Sequence, residues 1–174
     1  MILLAVLVLM VVMSGYFSAT ETAFTSLNRI RLKSRADNGD KKAEKTLALA
    51  ENYDKLLSTI LIGNNIVNNV AATLSTLLFI KLIDEVNGPA VSTIVLTIVV
   101  LIFGEISPKS LAKESPEAFA MFCAPFLRLP MTLLTPLNFL FGLWKKFLTL
   151  LFHKESDDGI TDEELVTMVE EAED

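Results

Sequence analysis

The chain has 174 residues, 52% of them hydrophobic, and a net charge of −6 with a single cysteine and a single histidine. Lone Cys123 excludes an internal disulfide framework and reads as a small buried residue, while lone His153 excludes a His-rich metal site. No Gly-rich phosphate loop, cysteine pair or zinc-protease motif is present, so nucleotide and soft-metal chemistry have no home here, and nothing points to a nucleic acid.

The apolar residues fall in blocks. Residues 1–27, 56–83, 89–113 and 118–152 each approach or exceed the roughly 20 residues that a helix needs to cross a bilayer. The predicted fold is therefore an all-α integral membrane protein with three transmembrane helices, about 1–27, 56–83 and 90–113, and a fourth stretch of a different kind. Residues 1–13 could pass for a signal sequence with Ser14-Gly15 near a cleavage point. The segment has no basic residue before its apolar run, however, and the apolar character resumes through Phe17, Ala19, Ala23, Phe24 and Leu27. It reads as a retained helix.

Between the first two spans, residues 28–55 carry eight basic residues: Arg29, Arg31, Lys33, Arg35, Lys41, Lys42, Lys45 and Lys55. Short loops rich in Lys and Arg stay in the cytoplasm. The expected topology places the N-terminus outside, this stretch inside as a juxtamembrane helical hairpin (KKAEKTLALAENYDKLL reads as helix), and the cell membrane as the location. The loop at residues 84–89 is short and acidic, as an external turn should be, and Lys109 and Lys113 meet the inner side again.

The fourth apolar stretch, about 116–152, holds Pro116, Pro125, Pro130 and Pro136 with Arg128 in its middle. Proline breaks the helical ladder, and the pieces between breaks are too short to span. The expectation is an interfacial belt on the inner leaflet, with Lys145, Lys146 and Lys154 among the headgroups; a true fourth span is the alternative. Residues 153–174 then read as a linker and an acidic cytoplasmic helix. Thr161 is its N-cap and Glu164 its third residue. Residues 155–174 hold ten acidic residues and no basic one, which leaves residues 1–154 at +4. The helix reads as cut short, part of a longer native chain.

The polar residues at membrane depth carry the functional reading, because such groups are expensive there. Ser14, Ser18 and Glu21 share one face of the first helix. The second carries Asn64 and Asn68, and on the adjacent face Asn65 and Asn69. The third carries Gly104-Glu105-Ile106-Ser107-Pro108-Lys109. Pro108 has no N–H for the carbonyl four residues back, so in a regular helix it frees the Gly104 oxygen beside the Glu105 carboxylate. Both are hard oxygen donors of the kind Mg²⁺ or Na⁺ takes. At about 1.5 Å per residue, Ser18 lies roughly 16 Å from Arg29, Asn64 and Asn68 roughly 13 and 20 Å from Lys55, and Glu105 roughly 12 Å from Lys113. The three helices can bring these groups to one level. Interhelical hydrogen bonding and a plain proline kink account equally well for single members of the set, and Glu21 can pair with a cytoplasmic-side Lys or Arg.

The stretch Ser14-Gly15-Tyr16-Phe17-Ser18-Ala19-Thr20-Glu21-Thr22-Ala23, Gly63-Asn64 with Asn68, and Gly104-Glu105-Ile106-Ser107-Pro108-Lys109 together resemble the three helix motifs of the CorC/CNNM transmembrane domain. The resemblance covers the whole chain. It implies a homodimer with three spans and a belt helix per subunit, an acidic helical region leading to a cytoplasmic CBS pair, and Mg²⁺ transport as Na⁺-coupled efflux. It would place the ion on Ser14, Ser18, Asn64, Asn68, the Gly104 carbonyl and Glu105, and it favours Asn64/Asn68 over Asn65/Asn69. The rival function is a membrane Mg²⁺ sensor that does not transport; an intramembrane enzyme finds no nucleophile–base pair.

Overall fold

A computed structural model describes residues 1–152, with the backbone alone at Lys145, Lys146, Leu150 and Phe152. The linker and acidic helix expected over 153–174, and the headgroup positions expected for Lys145, Lys146 and Lys154, lie outside the described residues and side chains. Every element is a helix: α1 Ile2–Ser26, α2 Arg29–Asp37, α3 Lys41–Glu51, α4 Tyr53–Leu82, α5 Gly88–Val99, a π-helical segment Val100–Ile106, α6 Ser107–Glu114, α7 Pro116–Leu133 and α8 Thr135–Phe152. Among the described residues, three unbroken helical stretches are long and apolar enough to cross a membrane, namely Ile2–Ser26, Tyr53–Leu82 and the run Gly88–Glu114. Their ends agree with the apolar blocks to within a few residues, which is the ordinary scatter of helix boundaries.

The hairpin between the first two spans is two helices. Asn28 caps α2 by accepting from the Arg31 N–H, and Asp40 caps α3 by accepting from the Lys42 and Ala43 N–H groups. Between them Gly39 sits at φ 89, the left-handed region that a side chain would strain. The helix expected to run unbroken from Lys41 past Tyr53 is divided at Asn52. Asn52 ends α3 by donating its N–H to the Leu49 carbonyl and begins α4. Leu32, Ala43 and Met121 pack together and tie this hairpin to α7.

Residues 1–138 form one compact unit, and a second begins at Phe139. In the first unit, α1 is the central helix, packed against α4, the π segment, α6 and α7. Its contacts are made by small residues: Ser14, Gly15, Ser18, Ala19, Thr20 and Ala23 are all buried. Small side chains let helix backbones approach where lipid supplies no hydrophobic drive. Large apolar side chains instead point outward, among them Leu4, Val8, Val12, Ile94, Ile98 and Phe103, as expected of surfaces that lipid solvates.

The prolines of the fourth stretch act differently from the expectation. Pro116 and Pro136 stand at helix starts, where a fixed φ fits and the missing N–H costs nothing. Pro125 and Pro130 lie inside α7 without ending it; the break falls at Leu134. Each interior proline removes one ladder bond, and the remaining ladder and the packing of Ala120, Met121, Cys123, Ala124 and Leu127 against the core hold the helix. Taken separately, α7 and α8 are not long and apolar enough to span, but as one bent pair they are, so the fourth-span alternative stands beside the belt.

Candidate functional site

Ser14 is the meeting point of the three spans. It is fully buried, and its hydroxyl donates to Asn64 Oδ1 at 3.3 Å. Asn64 Oδ1 also accepts from Asn68 Nδ2 at 3.4 Å, one turn along α4. Gly104 of the π segment packs onto the same serine: a Cβ placed on it would lie 3.0 Å from Ser14 Oγ. The absence of that Cβ is what lets the third span reach α1 here. The depth of contact between α1 and α4 is set one residue away. Gly63 lies under the Phe17 ring, so closely that a Cβ at position 63 would stand 2.5 Å from Phe17 Cζ.

Two polar atoms in this neighbourhood are buried and without a hydrogen-bond partner, Ser18 Oγ and Asn68 Oδ1. Ser18 lies one turn beyond Ser14 on α1, and its own carbonyl accepts from the Thr22 hydroxyl at 3.1 Å. Unpaired polar atoms are costly in an apolar medium, by about 1–3 kcal/mol each in protein interiors. They lie on two facing helices, one turn past Ser14 on α1 and one turn past Asn64 on α4.

The third span departs from a regular helix at this level. The Ser107 N–H donates to the Ile102 carbonyl, five residues back, so the ladder runs in π register from Val100 to Ile106 and returns to α register at Ser107. Pro108 has no N–H, and the carbonyl that it leaves unserved is Gly104's in an α ladder and Phe103's in a π ladder. The Phe103 carbonyl oxygen and the Pro108 ring both pack on Gly15, where an added Cβ would meet them at 3.0 and 3.1 Å. The register change therefore sits against the one position of α1 that has no side chain. π-helical turns are rare and cluster at functional sites.

Glu105 follows Gly104 and is half-buried; no hydrogen bond or ion pair engages it among the described residues. Glu21 does not join the Ser14 cluster. It faces Lys109, with Oε2 3.6 Å from Nζ, and both side chains are partly exposed. Asn65 and Asn69 are exposed on the far side of α4, and Asn65 Nδ2 returns to the Leu61 carbonyl of its own helix at 2.8 Å. Among the described residues no three His, Cys, Asp or Glu side chains gather as a metal cluster. The donors assembled at Ser14 are neutral oxygens, and Glu105 follows Gly104 directly in the chain.

Sequence reasoning expected a cytoplasmic-side cation on Glu21 without singling out Lys109, and missed two contributors: the Phe17–Gly63 contact and the Phe103 carbonyl on Gly15. The glycines were the available signal for both, since a glycine inside a long apolar helix marks a close approach.

Known proteins resemble this chain over most of its length. The family described as cyclin M transmembrane N-terminal domain matches residues 4–174. The UPF0053 protein of Haemophilus influenzae is 36% identical over 173 residues, 98% of this chain and 41% of that protein. The UPF0053 inner membrane protein YfjD of Escherichia coli is 38% identical over 164 residues, 91% of this chain and 38% of that protein. A polyamine export protein of Haemophilus influenzae is 24% identical over 178 residues, 94% of this chain and 41% of that protein. The chain thus spans about two fifths of the length of these curated relatives. With three helices of spanning length and a family match over nearly its whole length, this is a membrane protein that belongs to the cyclin M transmembrane N-terminal domain family.

Proposed function

We propose that the chain is the membrane part of a Mg²⁺ transporter that carries the ion outward against Na⁺ entry, with the cation held between α1, α4 and the π segment. The observation that carries this reading is the pair of buried oxygens without partners, Ser18 Oγ and Asn68 Oδ1, flanking the Ser14–Asn64 hydrogen bond. Hydroxyl and amide oxygens, a backbone carbonyl freed at Pro108 and the Glu105 carboxylate form a hard donor set. One charge among several neutral oxygens suits a cargo site, because Mg²⁺ must also leave it. Irregular backbone at membrane depth is tolerated where it lines such a site, and the π segment fits that rule. The reading includes two copies of the chain acting as a homodimer in the cell membrane, the N-terminus outside, and a cytoplasmic CBS pair in the full-length protein.

The test is flux in proteoliposomes loaded with a Mg²⁺ indicator, with and without a Na⁺ gradient. Parent protein is expected to move Mg²⁺, faster with the gradient, and Glu105→Gln to lose both flux and calorimetric Mg²⁺ binding while still folding. Binding without flux in the parent would favour a sensor instead, and spermidine flux without Mg²⁺ flux would assign a polyamine cargo like that in the name of the Haemophilus influenzae relative. Unchanged Mg²⁺ affinity in Glu105→Gln sinks the site.

A further inference from the structure

Lys109 is the cation of this protein nearest in sequence to Glu105. The two are four residues apart, the spacing at which side chains on a helix meet and a Glu–Lys pair forms readily when the Glu comes first. The structure shows another pairing. Lys109 Nζ lies 3.6 Å from Glu21 Oε2, on a different helix, and Glu105 has no partner among the described residues. The side chains of Lys109 and Glu21 are 41% and 28% exposed, so neither is locked in the core, and the flexible lysine stem has alternatives within its reach. The contact lies on the same α1–α6 surface where Pro108 packs on Gly15, just beyond the register change.

From this we infer that Glu21 is a positioning residue for the cation site: it holds the Lys109 ammonium away from Glu105 and so keeps that carboxylate open to a divalent ion. Lys109 is then a tethered competitor. Released from Glu21, it folds back over one turn onto Glu105, neutralises the charge that attracts the cation and obstructs it. The single acid of the site makes this exchange decisive, since no second carboxylate would compensate. Glu21 touches no cargo in this scheme and acts only through where it keeps Lys109. The inference rests on the reading of Glu105 as part of a Mg²⁺ site.

Four proteins test it by calorimetric Mg²⁺ titration in detergent: the parent, Glu21→Gln, Lys109→Gln and the double variant Glu21→Gln/Lys109→Gln, with Glu105→Gln as control. Glu21→Gln is expected to bind Mg²⁺ about fivefold more weakly, the competition available to an ion pair of about 1 kcal/mol. Lys109→Gln should bind as tightly as the parent or more so, and the double variant should recover the parent's affinity. Recovery is the result that a structural strap cannot produce, because the double variant lacks the strap altogether. A double variant as weak as Glu21→Gln would make Glu21 a direct ligand and overturn the inference. So would unchanged affinity in Glu21→Gln. Should that variant fail to fold, Lys109→Gln decides alone, and weaker binding there overturns the proposal. Parent affinity retained in Glu105→Gln is a different failure: it removes the Mg²⁺ site itself and this inference with it.

Discussion

Two asparagine pairs sit side by side on α4, and the fold treats them oppositely. Asn64 and Asn68 turn toward α1, where Asn64 Oδ1 accepts from both Ser14 and Asn68. Asn65 and Asn69 are exposed, and Asn65 bonds back to its own helix. Residue type and spacing are identical in the two pairs, so neither explains the difference. The cause is rotational. Leu56, Ile60, Gly63, Val67, Ala71 and Ser75 form the buried stripe of α4, and Gly63 under the Phe17 ring fixes which way that stripe points. Asn64 and Asn68 each follow a stripe residue directly, whereas Asn65 and Asn69 are turned a further step away. A polar group at membrane depth is thus paired across helices or left facing outward by the helix face that packing selects.

The comparison can be broken most severely at the inward pair. Asn64→Leu combined with Asn68→Leu is expected to weaken Mg²⁺ binding by at least about tenfold and to abolish flux, since it removes two oxygens from the Ser14 cluster. Calorimetry and the proteoliposome assay measure this, and binding kept within about twofold would show that the cluster is structural glue. The next largest effect should come from Gly63→Ala. Overpacking costs about 1–3 kcal/mol and alanine's better helix propensity returns about 1 kcal/mol at most, so the melting temperature should fall and Mg²⁺ affinity with it. A stabilised variant with full affinity would mean that the Phe17 ring yields freely and that Gly63 does not set the face. The smallest effect belongs to the outward pair. Asn65→Leu with Asn69→Leu should change stability by less than about 0.5 kcal/mol and leave Mg²⁺ affinity alone. A large loss of binding there would reverse the assignment of faces.

How much of this could be read from the amino acids follows the same division. The spans were legible because bilayer thickness imposes a length that continuous apolar runs satisfy. The hairpin was legible as basic helix, and its caps at Asn28 and Asp40 are ordinary capping chemistry. The break at Asn52 was not, because a polar residue between two amphipathic stretches ends a helix only when packing redirects the chain. Pro125 and Pro130 misled in the other direction: the rule that prolines interrupt helices concerns a lone helix, and α7 is held by the bundle behind it. The site residues were named from residue type and motif, and what stayed hidden was their arrangement. Ser14 as the hub, Glu21 turned to Lys109 and the π register at Val100–Ile106 all depend on contacts between segments far apart in the chain.

The π segment also changes how the third span is phased. A π turn takes up residues at a slower angular pace than an α turn, so each one inserts a lag into the helix's rotation. Side chains before Val100 and after Ile106 therefore do not continue a single stripe. The half before Val100 addresses α4, through the buried Ser92 hydroxyl that donates to Ser75 at 2.8 Å, while the half after Ile106 addresses α1 through Pro108 and Lys109. One helical run thus serves two neighbours. Forcing all of the 100–106 stretch into an even α pitch would remove that lag and swing everything beyond it around the axis, carrying Lys109 off Glu21 and Pro108 off Gly15.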